Sequence, residues 1–158
     1  MIINQKIKAK DLKPKIAQLW KVSGAKIKKI DKEYNPKKGA PVFTIQGQYT
    51  SSGWTEWTQG FQYGCLILTG DALNDDRLIE WGRDRTIERM LPHVTHVGVH
   101  DHGFNNLSTY GNLLRLMNEG RIADDPWQRT TYENAIAASG AVQASRWSAT
   151  NCELGYIY

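Results

Sequence analysis

All four histidines of the chain, His93, His96, His100 and His102, fall in one short segment, with Asp101 between the last two. Three kinds of chemistry use such a cluster. His-x-x-His and His-x-His are workable metal-ligand spacings, and Asp101 would add an oxygen. No second ligand cluster accompanies them and the His-Glu-x-x-His form is absent, so neither a metal nor another cofactor is expected. Histidines that follow a helix can bond its last carbonyls, where a donor or cationic ring is favoured, and His93 and His96 are read in this way. The third chemistry is that of a carboxylate held in a rigid loop. Asp101 lies between two imidazoles, ahead of Gly103 for a tight turn and Phe104 to pin the loop into the core. Asn105 and Asn106 add polar groups at the mouth of the next helix. A carboxylate so placed does acid–base work or steadies a developing positive charge, which makes Asp101 the candidate catalytic residue.

Aromatic residues point to what such a carboxylate would meet. Trp54 and Trp57 stand in Ser52-Gly53-Trp54-Thr55-Glu56-Trp57-Thr58-Gln59-Gly60-Phe61. A sugar ring has an apolar face that stacks on indole and hydroxyls that need polar neighbours such as Glu56 and Gln59. Trp54, Trp57 and Gln59 are therefore candidate substrate-binding residues, although both tryptophans suit a core equally well.

The elements that must position these residues are helices. Apolar spacing predicts a first helix over 10–29, with Pro14 in its first turns and Gly24 weakening its middle. A short strand over 42–45 follows the loop of Asn35-Pro36 and Gly39-Ala40-Pro41. The second helix, 57–69, is apolar all round and reads as buried, with Gly70 as its left-handed stop. The third, 75–90, has one apolar face, Leu78, Ile79, Trp81, Ile87 and Met90, and is closed by Pro92. The fourth, 107–118, is again mostly apolar, with Ser108 or Asn106 as its cap. The fifth, 129–148, carries Ala135, Ala137, Ala138, Gly140, Ala141 and Ala144, small residues that allow close helix approach. Amphipathic and buried helices thus alternate. Two concentric rings of helices produce that order, because inner helices touch neighbours on all sides and outer ones face water. The expected fold class is all-α: one helical domain over 1–158 forming about half of an α/α toroid, with no internal sequence repeat. Five helices cannot close two rings, and the chain runs out on apolar Gly155-Tyr156-Ile157-Tyr158. The expectation is that further sequence or a second copy supplies the rest.

Trp57-Thr58-Gln59-Gly60-Phe61 followed by Leu66-Ile67-Leu68-Thr69-Gly70-Asp71 resembles the W-x-x-G-F…L-T-G-D segment of the unsaturated glucuronyl hydrolases and their rhamnogalacturonyl relatives. His100-Asp101-His102-Gly103-Phe104 resembles their H-D-[LI]-G-F motif. Ser145-Arg146-Trp147 and Leu154-Gly155-Tyr156-Ile157-Tyr158 resemble the stretch that leads into their next substrate loop. The likeness covers residues 50 to 158. It implies an (α/α)6 barrel and a hydrolase that removes a terminal unsaturated uronic acid from oligosaccharides by hydrating its vinyl ether. By the same match Asp101 is the carboxylate that supports substrate and charge. The family's general acid–base Asp lies beyond the region matching Tyr156 and Tyr158, so this chain alone is expected to be inactive. His102 departs from the pattern, where an apolar residue is usual, and leaves saturated glucuronides open as substrates. Uronic acids are anionic, which makes His100, His102 and Arg146 candidate binding residues.

Charge is uneven. Residues 1–38 hold twelve Lys against Asp11, Asp31 and Glu33, a local +9, while the remaining eight basic and thirteen acidic residues leave −5. A basic arm suits a polyanion. Only Trp20 and Tyr34 interleave with these lysines and no Arg does, so a solvated helix face is the preferred reading and nucleic acid is not an expected partner. Expected partners are an oligosaccharide and either the remaining half of the fold or another copy. The sequence offers no membrane span and no visible secretory leader, and both cytoplasm and periplasm stay open. Cys65 and Cys152 are too few for a disulfide framework and are expected to be buried or half-buried thiols.

Overall fold

The computed structural model describes residues 6–53, 57–98, 100–152 and 154–157. The chain is predominantly helical. A 3-10 turn, Ala9–Leu12, leads into α1, Lys13–Glu33. A second short turn, Pro36–Lys38, precedes strands β1, Ala40–Ile45, and β2, Gln48–Ser52. Helices α2, Thr58–Leu73, α3, Asp76–Arg89, and the single turn α4, Leu91–Val94, follow. A π-helical segment, Gly103–Gly111, runs directly into α5, Asn112–Asn118. The long α6, Pro126–Ser145, precedes β3, Trp147–Ala149, and β4, Gly155–Ile157.

The core is built around α2. Tyr63, Leu66 and Ile67 of α2 pack with Leu78 and Ile79 of α3, Leu113 and Leu116 of α5, and Tyr132 of α6. Glycines let these helices approach. A Cβ on Gly82 would stand 2.6 Å from Ile67 Cγ1, and one on Gly70 would stand 2.7 Å from Ile79 Cγ1. Gly70 is thus an interior contact rather than the expected helix stop. The helix continues to Leu73 and ends at Asn74, whose φ of 54° is left-handed, with Asp75 N–H closing on Gly70 O at 2.8 Å. Asp75 and Asp125 cap α3 and α6 through the N–H groups of Leu78 and Gln128.

Several sequence expectations need correction. α1 is continuous through Gly24, because that glycine is buried where Leu73 and Thr69 cross it. Its packed residue is Ile27, while Ile16, Leu19 and Val22 are exposed, so only the second half of α1 lies on the body. Ile87 faces solvent, and Gly82 and Thr86 are buried on α3 instead. α2 is not covered all round, since Phe61, Cys65 and Leu73 are exposed. Cys152 is exposed as well, so neither thiol is buried. The small residues Ala137, Gly140, Ala141 and Ala144 of α6 face outward, and it is Tyr132, Ala135 and Ser139 that pack inward.

The expected lone strand is half of a hairpin. Gln46 and Gly47 both have positive φ, 49° and 75°, the backbone twist that two-residue hairpin turns require. The fifth helix stops short of residue 148. Trp147, Ser148 and Ala149 pair instead with Ile157, Tyr156 and Gly155, and the indole of Trp147 lies over Gly155, where a side chain would have to displace it.

Candidate functional site

The histidine segment folds as two layers, a buried polar network below and a partly exposed carboxylate above, followed by an aromatic surface that begins at Phe104. The π segment between them is the positioning element. Asn105, Asn106, Thr109 and Tyr110 all turn inward from it. Asn106 and Ser108 both lie within this segment, so neither caps a helix beginning at Leu107.

In the lower layer Asn105 Oδ1 accepts the N–H of Gly60 at 3.0 Å, so its amide nitrogen faces His93 Nδ1 at 3.2 Å. That donor leaves His93 Nδ1 unprotonated, and Nε2–H donates to Gln59 Oε1 at 2.6 Å. His93 is only 2% exposed. Burial, reinforced by His96 and His102 nearby, lowers its pKa to about 4. It does not cap a helix end as expected; it joins the start of α2 to the π segment. Asn106 Nδ2 donates to His93 O and to Ser139 Oγ, at 3.2 and 2.9 Å. Ser139 Oγ lies 2.8 Å from His102 Nδ1, and His102 Nε2 donates to His96 O. His102 is buried in this network, tying the loop to α6.

In the upper layer the Asp101 side chain is 18% exposed, and its Oδ1 lies 3.7 Å from Nε2 of the exposed His100. The Asp101 carbonyl accepts Asn105 N–H, the first bond into the π segment. Phe104 is 49% exposed and does not pin the loop into the core. It stands instead against Phe61 and Trp57, with ring centroids 5.4 and 5.8 Å away, and Trp57 meets Phe61 edge-on at 5.6 Å. Three partly exposed rings thus make a continuous aromatic surface, and one of them, Phe104, is three residues from Asp101 in the chain.

The candidate residues divide accordingly. Asp101, His100 and Trp57 reach the surface, whereas Gln59, His102 and Arg146 are buried. Arg146 donates to Val97 O at 3.0 Å and so braces the histidine segment from behind. Trp54, Glu56 and Tyr158 lie outside the described residues. Phe61 and Ser139 take part without having been singled out for this site. Phe61 was legible from its place in Trp57-Thr58-Gln59-Gly60-Phe61, but nothing local marks Ser139. Among the described residues no group of His, Cys, Asp or Glu side chains is arranged to hold a metal ion. No described helix is long and apolar enough to cross a membrane. No family model, curated protein or solved structure matches the chain.

Proposed function

We propose that this chain is the first part of an (α/α)6 glycoside hydrolase that removes a terminal unsaturated uronic acid from oligosaccharides by hydrating its vinyl ether. The observation that carries the proposal is the partly exposed Asp101 carboxylate just ahead of a clamped π segment whose Phe104 ring continues into Phe61 and Trp57. The barrel reading draws on the same face. Phe61 and Cys65 of α2 and Phe104 and Leu107 of the π segment are uncovered, and inner helices of a toroid would turn such a face to the cavity.

The aromatic surface would receive the apolar face of the sugar. Protonation of the vinyl ether carbon places positive charge on the ring oxygen and its neighbouring carbon. Water adds to that carbon and loses a proton, the hemiketal so formed opens at its ring C–O bond to a ketone, and the hemiacetal left at the anomeric carbon collapses to an aldehyde, releasing the rest of the oligosaccharide as an alcohol. The charge of Asp101 would steady the cationic stage, and the proton donor comes from outside the residues described. Saturated glucuronides would use the same face and form the second arm of the test. The natural gene product carrying this chain is mixed with an unsaturated uronyl disaccharide, and ultraviolet absorbance of the conjugated double bond is followed. Decay that disappears in Asp101→Asn is the expected result. A folded wild-type protein that leaves the absorbance unchanged overturns the vinyl-ether chemistry, and turnover of a saturated glucuronide would then reassign the substrate.

A further inference from the structure

The lysine-rich part of the chain builds more than a solvated face. The second half of α1 and the β1–β2 hairpin enclose an open cleft of about 630 Å³, lined in part by Lys26, Lys29, Lys38, Tyr34, Gln48 and Tyr49. The walls are held in place, since Tyr34 O–H bonds Ser51 Oγ at 2.8 Å and ties the end of α1 to β2. One carboxylate, Glu33, lines the cleft, and it lies 3.9 Å from Lys29. Lys26 and Lys38 have no carboxylate partner among the described residues. Positive charge is therefore in excess there, on flexible stems that adapt to anions of varied spacing. Tyr49 is half exposed and presents a ring to the same space.

We propose that this cleft binds a stretch of anionic polysaccharide, with carboxylate or sulfate groups on Lys26, Lys29 and Lys38 and a sugar ring against Tyr49. The ammonium groups are point charges suited to scattered carboxylates and sulfates, and no arginine fork lines the cleft to grip phosphates bidentately. Amide and hydroxyl groups such as those of Gln48 and Ser51 match sugar hydroxyls. The site stands apart from the proposed hydration chemistry, because none of Asp101, Trp57, Phe61 and Phe104 lines it.

The test uses the natural gene product and a fluorescent, sulfated, uronate-rich oligosaccharide whose saturated end the vinyl-ether reaction cannot consume. Binding is read by anisotropy over a salt series. The expected result is an affinity that falls with salt at a log–log slope of roughly two to three, one increment for each lysine engaged. Lys26→Gln/Lys29→Gln/Lys38→Gln should weaken binding roughly tenfold or more and remove most of that slope. Tyr49→Ala should weaken it roughly three- to tenfold and leave the slope unchanged. Lys10→Gln/Lys13→Gln/Lys15→Gln, on the exposed first half of the basic region, should cost less than about threefold. Equal losses in the two triple variants would show diffuse charge attraction and overturn the site. Equal or tighter binding of single-stranded DNA of the same charge, or no binding at low salt, would also overturn it. None of these outcomes depends on whether Asp101 is catalytic.

Discussion

Asn105 closes the start of a helix to which it does not belong: its Oδ1 accepts Gly60 N–H at 3.0 Å, in the first turn of α2. The fit leaves no room for a side chain. A Cβ on Gly60 would stand 2.3 Å from Asn105 Cα and 2.3 Å from Phe104 O. Backbone on both sides cannot yield as a flexible side chain does. Gly60→Ala is therefore expected to destabilise the fold by about 3 kcal/mol, at the upper end for overpacking. Gly140→Ala is the contrast, because nothing lies within 4 Å of its Cβ position in the exposed face of α6. It should stabilise by about 0.5–1 kcal/mol through the unfolded chain's lost freedom. Urea unfolding of the two variants checks both signs.

His93 makes stability depend on pH. Its folded pKa is about 4, below the ordinary 6.5, so between those values the unfolded chain binds a proton that the folded chain refuses. The contribution is complete above pH 6.5 and is lost as pH falls towards 4, a total of about 3 kcal/mol. Denaturation midpoints for wild type and His93→Gln should differ most in slope across that window. Parallel curves would show that His93 takes its proton without disturbing the network.

Asp101 and the aromatic surface separate chemistry from fold. On the proposed function, Asp101→Asn in the natural gene product should abolish hydration of an unsaturated uronyl disaccharide while the melting temperature stays near wild type, because its side chain has no buried partner among the described residues. Trp57→Ala should raise KM by roughly three- to tenfold, the worth of one aromatic contact, and change kcat less. A fall in kcat alone would place Trp57 away from the bound sugar.

Asp31 and Arg85 join α1 to α3. Arg85 donates to both Asp31 carboxylate oxygens at 3.2–3.3 Å, and the Asp31 side chain is only 4% exposed. Arg85→Met should cost about 3 kcal/mol, because it leaves a buried carboxylate unpaired. Asp31→Asn/Arg85→Met should recover part of that loss, which thermal unfolding of the set would show.

Much of the helical frame was legible in the chain. Leu78 and Ile79 on the apolar face of the third helix were read from local spacing, whereas the last long helix was begun at 129, three residues late, because its Asp125 cap and Pro126 at the first helical position went unread. Phe104 was misread, since an apolar ring after a glycine says nothing about which side has room for it. The π segment was missed for a related reason. Its register is set by what Asn105 and Asn106 reach, namely Gly60, His93 and Ser139, and each of these is at least twelve residues away.

By itself, then, the sequence determined the course of most of the helices, that the histidines cluster around one carboxylate, and that the lysines gather in the first part of the chain. Periodicity, capping and composition act over a few residues and need no partner. Only the tertiary structure decided that His93 and His102 are buried, that Gly60 and Gly70 are contact points, and that Trp57, Phe61 and Phe104 share one surface. Those outcomes depend on which distant backbone occupies the space beside each residue and which donor answers each buried acceptor. Long-range packing creates that information, and no local run of side chains contains it.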